Sequence, residues 1–576
     1  MGAQESGAPH PGDSEPGGRQ ERGFGLETLL VGIDAACLEV LEPLFETDVT
    51  PTLRSIFADG IGGPLPSQIP PWTASAWPTI YTGTNPGKHG VFDFLTFEGY
   101  DWDVVNATHV RERPLWQLLD YHGRSSVVVN VPVTHPPEPF DGALVPGYVG
   151  PEDPTCHPEG LLDELREAVG DYRVYPPAEP TVEEYRALVR SRGSAFRYLA
   201  DRFEPEFGFL EFQATDLVFH DRPGDDEAVE AIYAEVDEQV RATLDACEPD
   251  TVIVVSDHGI GPYGGAEFRI NEFLRELGYI RTRRGGRGMP TWANIRDGEL
   301  KSGAAGTVDG PSASSDEDGG GALERGVAER GVGGVAERGV AALARVGVTS
   351  QRIERALAAV GIRDVVAERV PADLARAGTE QVDFPRSLAY ARSRIECGVR
   401  INLEGREPEG TVPPSEYDAV REELIAVLSK VETPDGDPVF EDVAPREDYY
   451  EGPEAERAVD VVTVPNDFDQ FLSATLAGDQ FGPPSEPWNH KRQGVFAAQG
   501  EGIESNTVPE SPQLVDVAPT VLATLGVPAD ERMDGEPLPI VEPAGERPYP
   551  EYEPGATRET DDDAVERRLS QLGYLE

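Results

Sequence analysis

Lysine is nearly missing from this 576-residue chain, occurring only at Lys88, Lys301, Lys430 and Lys491, so arginine supplies almost all of the 49 basic residues set against 105 Asp and Glu. The formal charge of −56 repels polyanions, which excludes nucleic acid and anionic membrane as general partners. Acidity of this density suits molar salt, which screens the self-repulsion that would otherwise loosen the fold. Cysteine is also scarce. Cys37, Cys156, Cys247 and Cys397 stand far apart with no CxxC pair, so no short disulfide framework is available and they read as reduced core thiols of a cytosolic protein. No apolar run reaches the ~18 residues of a membrane span. The first 24 residues are rich in Gly, Pro, Glu and Gln and lack an apolar stretch, which reads as a disordered tail and not a signal peptide. The expectation is a soluble, cytoplasmic protein.

Hydrophobic residues make up 39%, enough for a large core. Short apolar runs at Leu26 to Asp34, Ser125 to Val133, Phe207 to Phe212, Thr251 to Val255 and Asp460 to Val464 read as strands. Amphipathic stretches lie between them; Ala228 to Cys247 places Val229, Ile232, Tyr233, Val236, Val240 and Leu244 at helical spacing. A second helix is expected in TPTLRSIFADG, stopped by Gly60. This alternation predicts an α/β fold with a mainly parallel central sheet and helices on both faces. The organisation read from composition is a tail at 1–24, a first core part at 25–285, and an insertion at 286–381. A second core part follows at 382–540, with a small cap region about 400–451, and then an acidic C-terminal tail at 541–576 with a short helix near Asp563 to Leu572. The insertion carries a Gly-rich repeat with ERGV at Glu324, Glu329 and Glu337. It reads as disordered at first and helical from about Ala341 to Arg369.

Acids and histidines stand where strands end. Asp34 closes the first strand, Asp216 follows FGFLEF with His220 one helical turn on, Asp257 and His258 follow TVIVV, and His490 precedes GVFAAQG. Ligands of open α/β sheets sit beyond the carboxyl ends of the strands. Three Asp and three His delivered there suit Zn²⁺ or Mn²⁺, and two ions could share the six. In IPPWTASAWPTIYTGTNPGKHGVFDF, residues 69 to 94, Thr73 or Ser75 begins a helix whose free N–H groups favour an anion. TGTNPGKHG reads as a tight structural turn, with His89 a hydrogen-bonded scaffold residue.

These segments resemble the type I phosphodiesterase/nucleotide pyrophosphatase group of the alkaline phosphatase superfamily. The shared order is GID at Asp34, Thr73 followed by TGTNPGKHG, ATDLVFH, SDHG and WNHKRQG, and the likeness extends over most of residues 26 to 285 and 382 to 540. The acidic, lysine-poor surface resembles archaeal, halophilic proteins. The resemblance implies an alkaline-phosphatase-like α/β/α sandwich with two divalent metal ions, Zn²⁺ with Mn²⁺ as the alternative. One ion would be held by Asp216, His220 and His490. The other would be held by Asp34, Asp257 and His258 with Thr73. It implies metal-dependent hydrolysis of phosphate esters, phosphodiesters foremost, through a phospho-threonine on Thr73, acting on a small phosphorylated substrate. A phosphomonoesterase, a phosphonate hydrolase or a non-catalytic scaffold are the alternatives. The sulfatase pattern C/S-x-P-x-R is missing from TASAW, and the insertion is short and Gly-rich for a phosphoglycerate mutase.

The chain departs from the group's pattern at Phe94, where nucleotide pyrophosphatases place an Asn that binds a phosphoryl oxygen. Arg406 is read equally as a phosphate contact or a salt-bridge partner. LVDVAPTVLATLGVP, Leu514 to Pro528, resembles the group's closing helix, with Asp516 as its cap and Gly526 as its end.

Overall fold

The computed structural model describes residues 25–177, 179–284, 380–504, 509 and 511–555. The expected N-terminal tail, the 286–379 part of the insertion and the helix near Asp563 to Leu572 lie outside the described residues. In chain order the strands that matter are β1 (Thr28–Ile33), β2 (Ile61–Pro66), β3 (Ser126–Val129), β4 (Gly142–Val145), β5 (Phe207–Phe212), β6 (Thr251–Val255), β7 (Gly259–Pro262), β8 (Ala389–Tyr390), β9 (Gly398–Ile401), β10 (Phe440–Pro445), β11 (Val461–Pro465), β12 (Trp488–Lys491) and β13 (Gln493–Gly500). The helices are α1 (Pro51–Asp59), α2 (Thr73–Thr82), α3 (Val182–Phe203), α4 (Ala214–Asp221), α5 (Asp226–Cys247), α6 (Tyr417–Leu428) and α7 (Val517–Thr524).

The central sheet runs β2-β13-β6-β1-β5-β3-β4. β6, β1, β5, β3 and β4 are mutually parallel; β13 is antiparallel to β6 and to β2. Strands β1, β5 and β6 are buried at every position, as strands covered on both faces must be, which is why they read as continuous apolar runs. One face packs Leu30, Val128, Phe209 and Ile253 against Trp77 and Ile80 of α2. The other packs Leu29, Val31, Leu210 and Val254 against α3 and α5 through Phe196, Leu199, Ile232 and Val236. The α/β/α layering expected from the sequence is therefore present. Gly32 is required where α2 crosses the sheet, because a Cβ there would stand 2.5 Å from the Trp77 ring.

The Asp460 to Val464 run is a strand, β11, but it does not join this sheet. It pairs with β9 and β10 in a separate antiparallel sheet of order β8-β9-β11-β10, against which α6 packs. A β-branched run specifies a buried strand without specifying its partners. The small sheet spans 389–465, wider than the 400–451 read from composition.

A buried ion cluster holds this sheet together. Asp460 accepts from Arg406 Nη1 and Nη2 (both 2.7 Å), Arg446 Nη1 (2.9 Å), Tyr417 Oη (2.8 Å) and the Ile401 amide (2.6 Å). Arg406 also donates to Glu407 (2.9 Å), so it is a structural ion-pair residue. Burial opposes ionisation of Asp460, but Arg406 and Arg400 overcome it and hold the carboxyl at about 2. A carboxyl whose folded value lies below its unfolded value of about 4 stabilises the fold above that value and ceases to do so as pH falls through the folded one. Asp460→Asn is expected to cost about 3–5 kcal/mol near neutral pH, because it leaves buried guanidinium groups uncompensated. Urea melts in molar KCl check this, and the gap from wild type should shrink as pH falls from about 4 toward 2.

Candidate metal centre and active site

Parallel strands deliver the acids to one edge. Gly32 of β1 is level with Val255 of β6, so two residues on Asp34 and Asp257 leave adjacent strand ends on the same face. The turn after β1 is fixed by bonds from the Asp34 amide to Phe212 O (3.2 Å) and from Thr215 Oγ1 to Asp34 O (2.7 Å). Asp216 and His220 sit one turn apart on α4. His490 arrives on β12, which pairs with β7 so that His490 lies opposite Ile260, two residues past His258.

Six of the residues singled out in the sequence form two groups. Asp216, His220 and His490 offer ligand atoms within 4.8 Å of one another, and so do Asp34, Asp257 and His258. The groups adjoin through the rings of His258 and His490, stacked 3.7 Å apart. Within the second group His258 Nε2 lies 3.1 Å from Asp257 Oδ2, 3.5 Å from Asp34 Oδ1 and 3.3 Å from Thr73 Oγ1. Within the first, His220 Nε2 is 3.2 Å from Asp216 Oδ1 and 3.3 Å from His490 Nε2.

The hydrogen bonds of these side chains are arranged outward. His258 Nδ1 bonds Gly259 O (3.0 Å) and His490 Nδ1 bonds Pro71 O (3.1 Å). A carbonyl only accepts, so each Nδ1 carries the proton and each Nε2 turns a lone pair inward. Asp257 Oδ1 accepts the Ala35 amide (3.3 Å) and Asp34 Oδ2 accepts Trp77 Nε1 (3.5 Å). The remaining oxygens, Asp34 Oδ1, Asp257 Oδ2 and Asp216 Oδ1, are buried without a hydrogen-bond partner among the described residues. Buried acceptors facing buried acceptors are costly unless a cation stands between them. Carboxylate with imidazole, with His258 and His490 oriented by outer carbonyls, is a donor set that fits divalent metal ions.

The charges agree with the geometry. Burial, then the neighbouring Asp257, raises Asp34 well above the usual carboxylate range. Burial raises Asp257 to about 7, and burial lowers both His258 and His490 to about 4. At Asp216 burial acts upward, but His220 outweighs it and the carboxyl falls well below its usual value.

Thr73 opens α2 and is 2% exposed. The first amides of a helix have no intrahelical acceptor, which leaves the Thr73 and Ala74 N–H groups at this spot. Ser75 is turned away, with Oγ donating to Val91 O (2.8 Å) and accepting from Gln68 Nε2 (3.2 Å). His89 is fully buried, accepts the Val91 amide at Nδ1 (3.2 Å) and reaches Thr79 Oγ1 through Nε2 (3.0 Å). It lies among the packing bonds of α2, as a scaffold residue does. The expected turn at TGTNPGKHG contains a four-residue helix, Pro86–His89, capped by Asn85 Oδ1 on the Gly87 amide (2.7 Å).

Asp516 does not cap α7 as expected. Its carboxylate instead accepts the Gln513 amide (2.9 Å) and the Glu536 amide (3.0 Å), because a 3-10 turn at Leu514–Asp516 precedes the helix. Gly526 does take the left-handed conformation just past α7 (φ 65°). Phe94 is buried, its ring edge-on to Tyr148 at 6.1 Å.

The sequence reading missed three polar residues. Glu211, inside the apolar strand β5, is fully buried and accepts from Asn130 Nδ2 (2.5 Å); an acid in FGFLEF was the available signal. Glu486 lies 3.8 Å from His220 Nδ1 and accepts from Arg394 Nη2 (3.0 Å). Nothing local marked this pair, whose members are far apart in the chain.

The structure thus brings a two-group acid and imidazole centre to the strand ends of an α/β sheet, with a hydroxyl at a helix start. Residues 28–311 match the family described as type I phosphodiesterase / nucleotide pyrophosphatase. The chain belongs to this family and is a hydrolase acting on phosphoric ester bonds, from a metal-dependent family. Among solved structures it is similar to phosphonoacetate hydrolase from Sinorhizobium meliloti 1021, with 15% identity over 86% of this chain and 95% of that one and a TM-score of 0.48. It is also similar to murine ectonucleotide pyrophosphatase / phosphodiesterase 5, with 12% identity over 87% and 96% and a TM-score of 0.45. No curated protein matches the sequence. No described helix is long and apolar enough to cross a membrane.

If the two groups hold cations, metal must stabilise the fold, because it binds the folded chain alone. Adding Zn²⁺ or Mn²⁺ to chelator-treated protein is expected to raise Tm, by ~2–4 °C for each kcal/mol in a domain of 150–250 residues and by less in this larger chain. Asp216→Ala and Asp257→Ala should each remove about one equivalent of bound metal by elemental analysis.

Proposed function

We propose that this protein is a phosphodiesterase in which Thr73 attacks phosphorus and is transiently phosphorylated. The observation that carries the reading is the position of Thr73 Oγ1, 3.3 Å from His258 Nε2 at the first residue of α2. Asp34, Asp257 and His258 would hold one divalent cation and Asp216, His220 and His490 the other. When bound, such ions supply Lewis-acid stabilisation of phosphoryl oxygens and lower the pKa of hydroxyl and water nucleophiles.

The residues of the chain do the positioning. Trp77 and the Ala35 amide fix the two carboxylates, and Gly259 O and Pro71 O fix the two imidazoles. The amides at the start of α2 face charge developing on a non-bridging oxygen. In the first step Thr73 Oγ1 gives up its proton to solvent and bonds phosphorus, while the leaving oxygen departs with its electron pair and takes up a proton from solvent. In the second, water displaces Thr73 and releases the phosphate product. Phe94 supplies no polar contact to the phosphoryl group, which favours substrates outside the usual nucleotide set and keeps phosphonate and monoester hydrolysis as outcomes of the test. The charge of −56 supports a small phosphorylated substrate and a salt-rich cytoplasmic setting, with neither nucleic acid nor membrane as partner.

Hydrolysis of bis-p-nitrophenyl phosphate against p-nitrophenyl phosphate, in molar KCl with Zn²⁺ or Mn²⁺, tests this. Diester cleavage should be the faster, and Thr73→Ala should lower it at least about 10³-fold with unchanged metal content. Near-full activity of Thr73→Ala would overturn the assignment, and faster monoester cleavage would make the protein a phosphatase.

A further inference from the structure

Two consecutive residues in the loop after β11, Asp467 and Phe468, have a φ of 50°. That is left-handed backbone, which glycine enters freely and a bulky side chain occupies only at a cost. Such a conformation persists where the surroundings hold it, and here they do. The Asn466 amide donates to Val439 O (3.0 Å) and the Asp467 amide to Glu441 Oε2 (3.3 Å), tying the loop to the start of β10 in the small sheet. Lys491 Nζ donates to Phe468 O (3.0 Å) and to Asp469 Oδ1 (2.8 Å). Asp469 also accepts the Gly265 amide at its carbonyl (3.0 Å) and the Gly264 amide at Oδ1 (3.2 Å). The loop is thus pinned to the small sheet on one side. On the other it is pinned to the β7 and β12 pair, one residue from His490.

What this conformation delivers is a ring. Phe468 is 3% exposed and meets the Trp72 ring edge-on, with centroids 6.2 Å apart. Trp72 in turn lies 5.3 Å from the His490 ring, within the range of an aromatic pair. Residues 71 and 72 therefore hold His490 twice, by the Pro71 carbonyl on Nδ1 and by the Trp72 indole. The same residues lead into α2. Trp72 O accepts the Ser75 and Ala76 amides (2.9 Å each), and Thr73 is the next residue. A shift of Trp72 would displace the third donor of one group and the hydroxyl beside the other.

We propose that Phe468 is a positioning residue, which braces Trp72 from the small antiparallel sheet and so sets the His490 ring for metal binding and the start of α2 for Thr73. The part concerning Thr73 rests on the phosphodiesterase reading above; the part concerning His490 rests only on the metal centre. Phe468 offers no ligand atom and acts through Trp72. The competing role is apolar filling of the core, which would lower stability without singling out the centre.

The test compares wild type, Phe468→Ala and Phe468→Leu with Leu428→Ala, a fully buried change on α6 that serves as the stability control. Stepwise Zn²⁺ affinities are measured by chelator competition in molar KCl, and the visible spectrum of Co²⁺-loaded protein is recorded. Values of kcat and KM are taken on bis-p-nitrophenyl phosphate. Phe468→Ala is expected to weaken one Zn²⁺ equivalent by about 10- to 100-fold, the effect of losing an outer support of a metal-bound His, and to lower kcat by a similar factor with KM within about threefold. Its Co²⁺ bands should change. Phe468→Leu, which fills the space without a ring, should show the same changes in smaller measure. Leu428→Ala should lower Tm and leave both affinities and the Co²⁺ bands as in wild type. Unchanged affinities and bands in Phe468→Ala, or in Phe468→Leu where the alanine variant does not fold, would overturn the proposal. So would an equal loss in Leu428→Ala, or a wild type that binds neither ion. A wild type that shows these metal effects but leaves the diester intact defeats the phosphodiesterase reading, while the bracing of His490 stands.

Discussion

Three carboxylates, each with an oxygen that no protein donor caps, are crowded into a buried space. Asp34, Asp257 and Asp216 would repel one another there, and the imidazoles of His258 and His490 turn lone pairs and not protons toward the same points. A desolvated charge of this kind is tolerated only with a counter-ion. Much of the surrounding structure follows from that requirement. The parallel sheet sets two acids side by side, the tight turn after β1 aims one of them, and the carbonyls of Gly259 and Pro71 hold the rings against rotation. Trp77 serves both ends of this arrangement, bonding Asp34 through its indole N–H while its ring fills the space that Gly32 leaves on β1.

The small antiparallel sheet is built on the opposite principle. Its central acid, Asp460, is as deeply buried as Asp34, but every oxygen is occupied by guanidinium, phenol or amide. One acid is complete within the protein and serves cohesion. The other three are incomplete and call for a cation. Arg406 belongs to the first kind.

What the sequence made legible was the set of strand ends. The runs before Asp34, Asp216 and Asp257 are uniformly apolar because both faces of the sheet are covered, so their acidic termini stood out, and all six candidate ligands come together in two groups. Strand identity was legible where strand partnership was not. Val461–Pro465 looks like Thr251–Val255 in composition, yet its partners lie in another sheet, since pairing depends on segments remote in the chain. The same remoteness hid Glu486 and Arg394, which acquire meaning only beside His220. Asp516 was misplaced for a local reason: the 3-10 turn before α7 moves its carboxylate to Gln513 and Glu536. Glu211 was visible as an acid in an apolar strand, but its partner Asn130 lies just past the end of a neighbouring strand, β3.

The ladder between β7 and β12 has a consequence in time as well as in space. His490 reaches its group only by pairing with residues 259–262, made more than 200 positions earlier. A ribosome-bound chain that has not yet emitted β12 carries Asp216 and His220 without their third companion. The Asp34, Asp257 and His258 group can come together while synthesis continues, but the Asp216, His220 and His490 group cannot. The cost of closing so long a loop grows only slowly with its length, by about 0.6 kcal/mol for each doubling. The intervening stretch is thus free to lengthen or shorten over evolutionary time with little penalty to the late arrival of the final ligand.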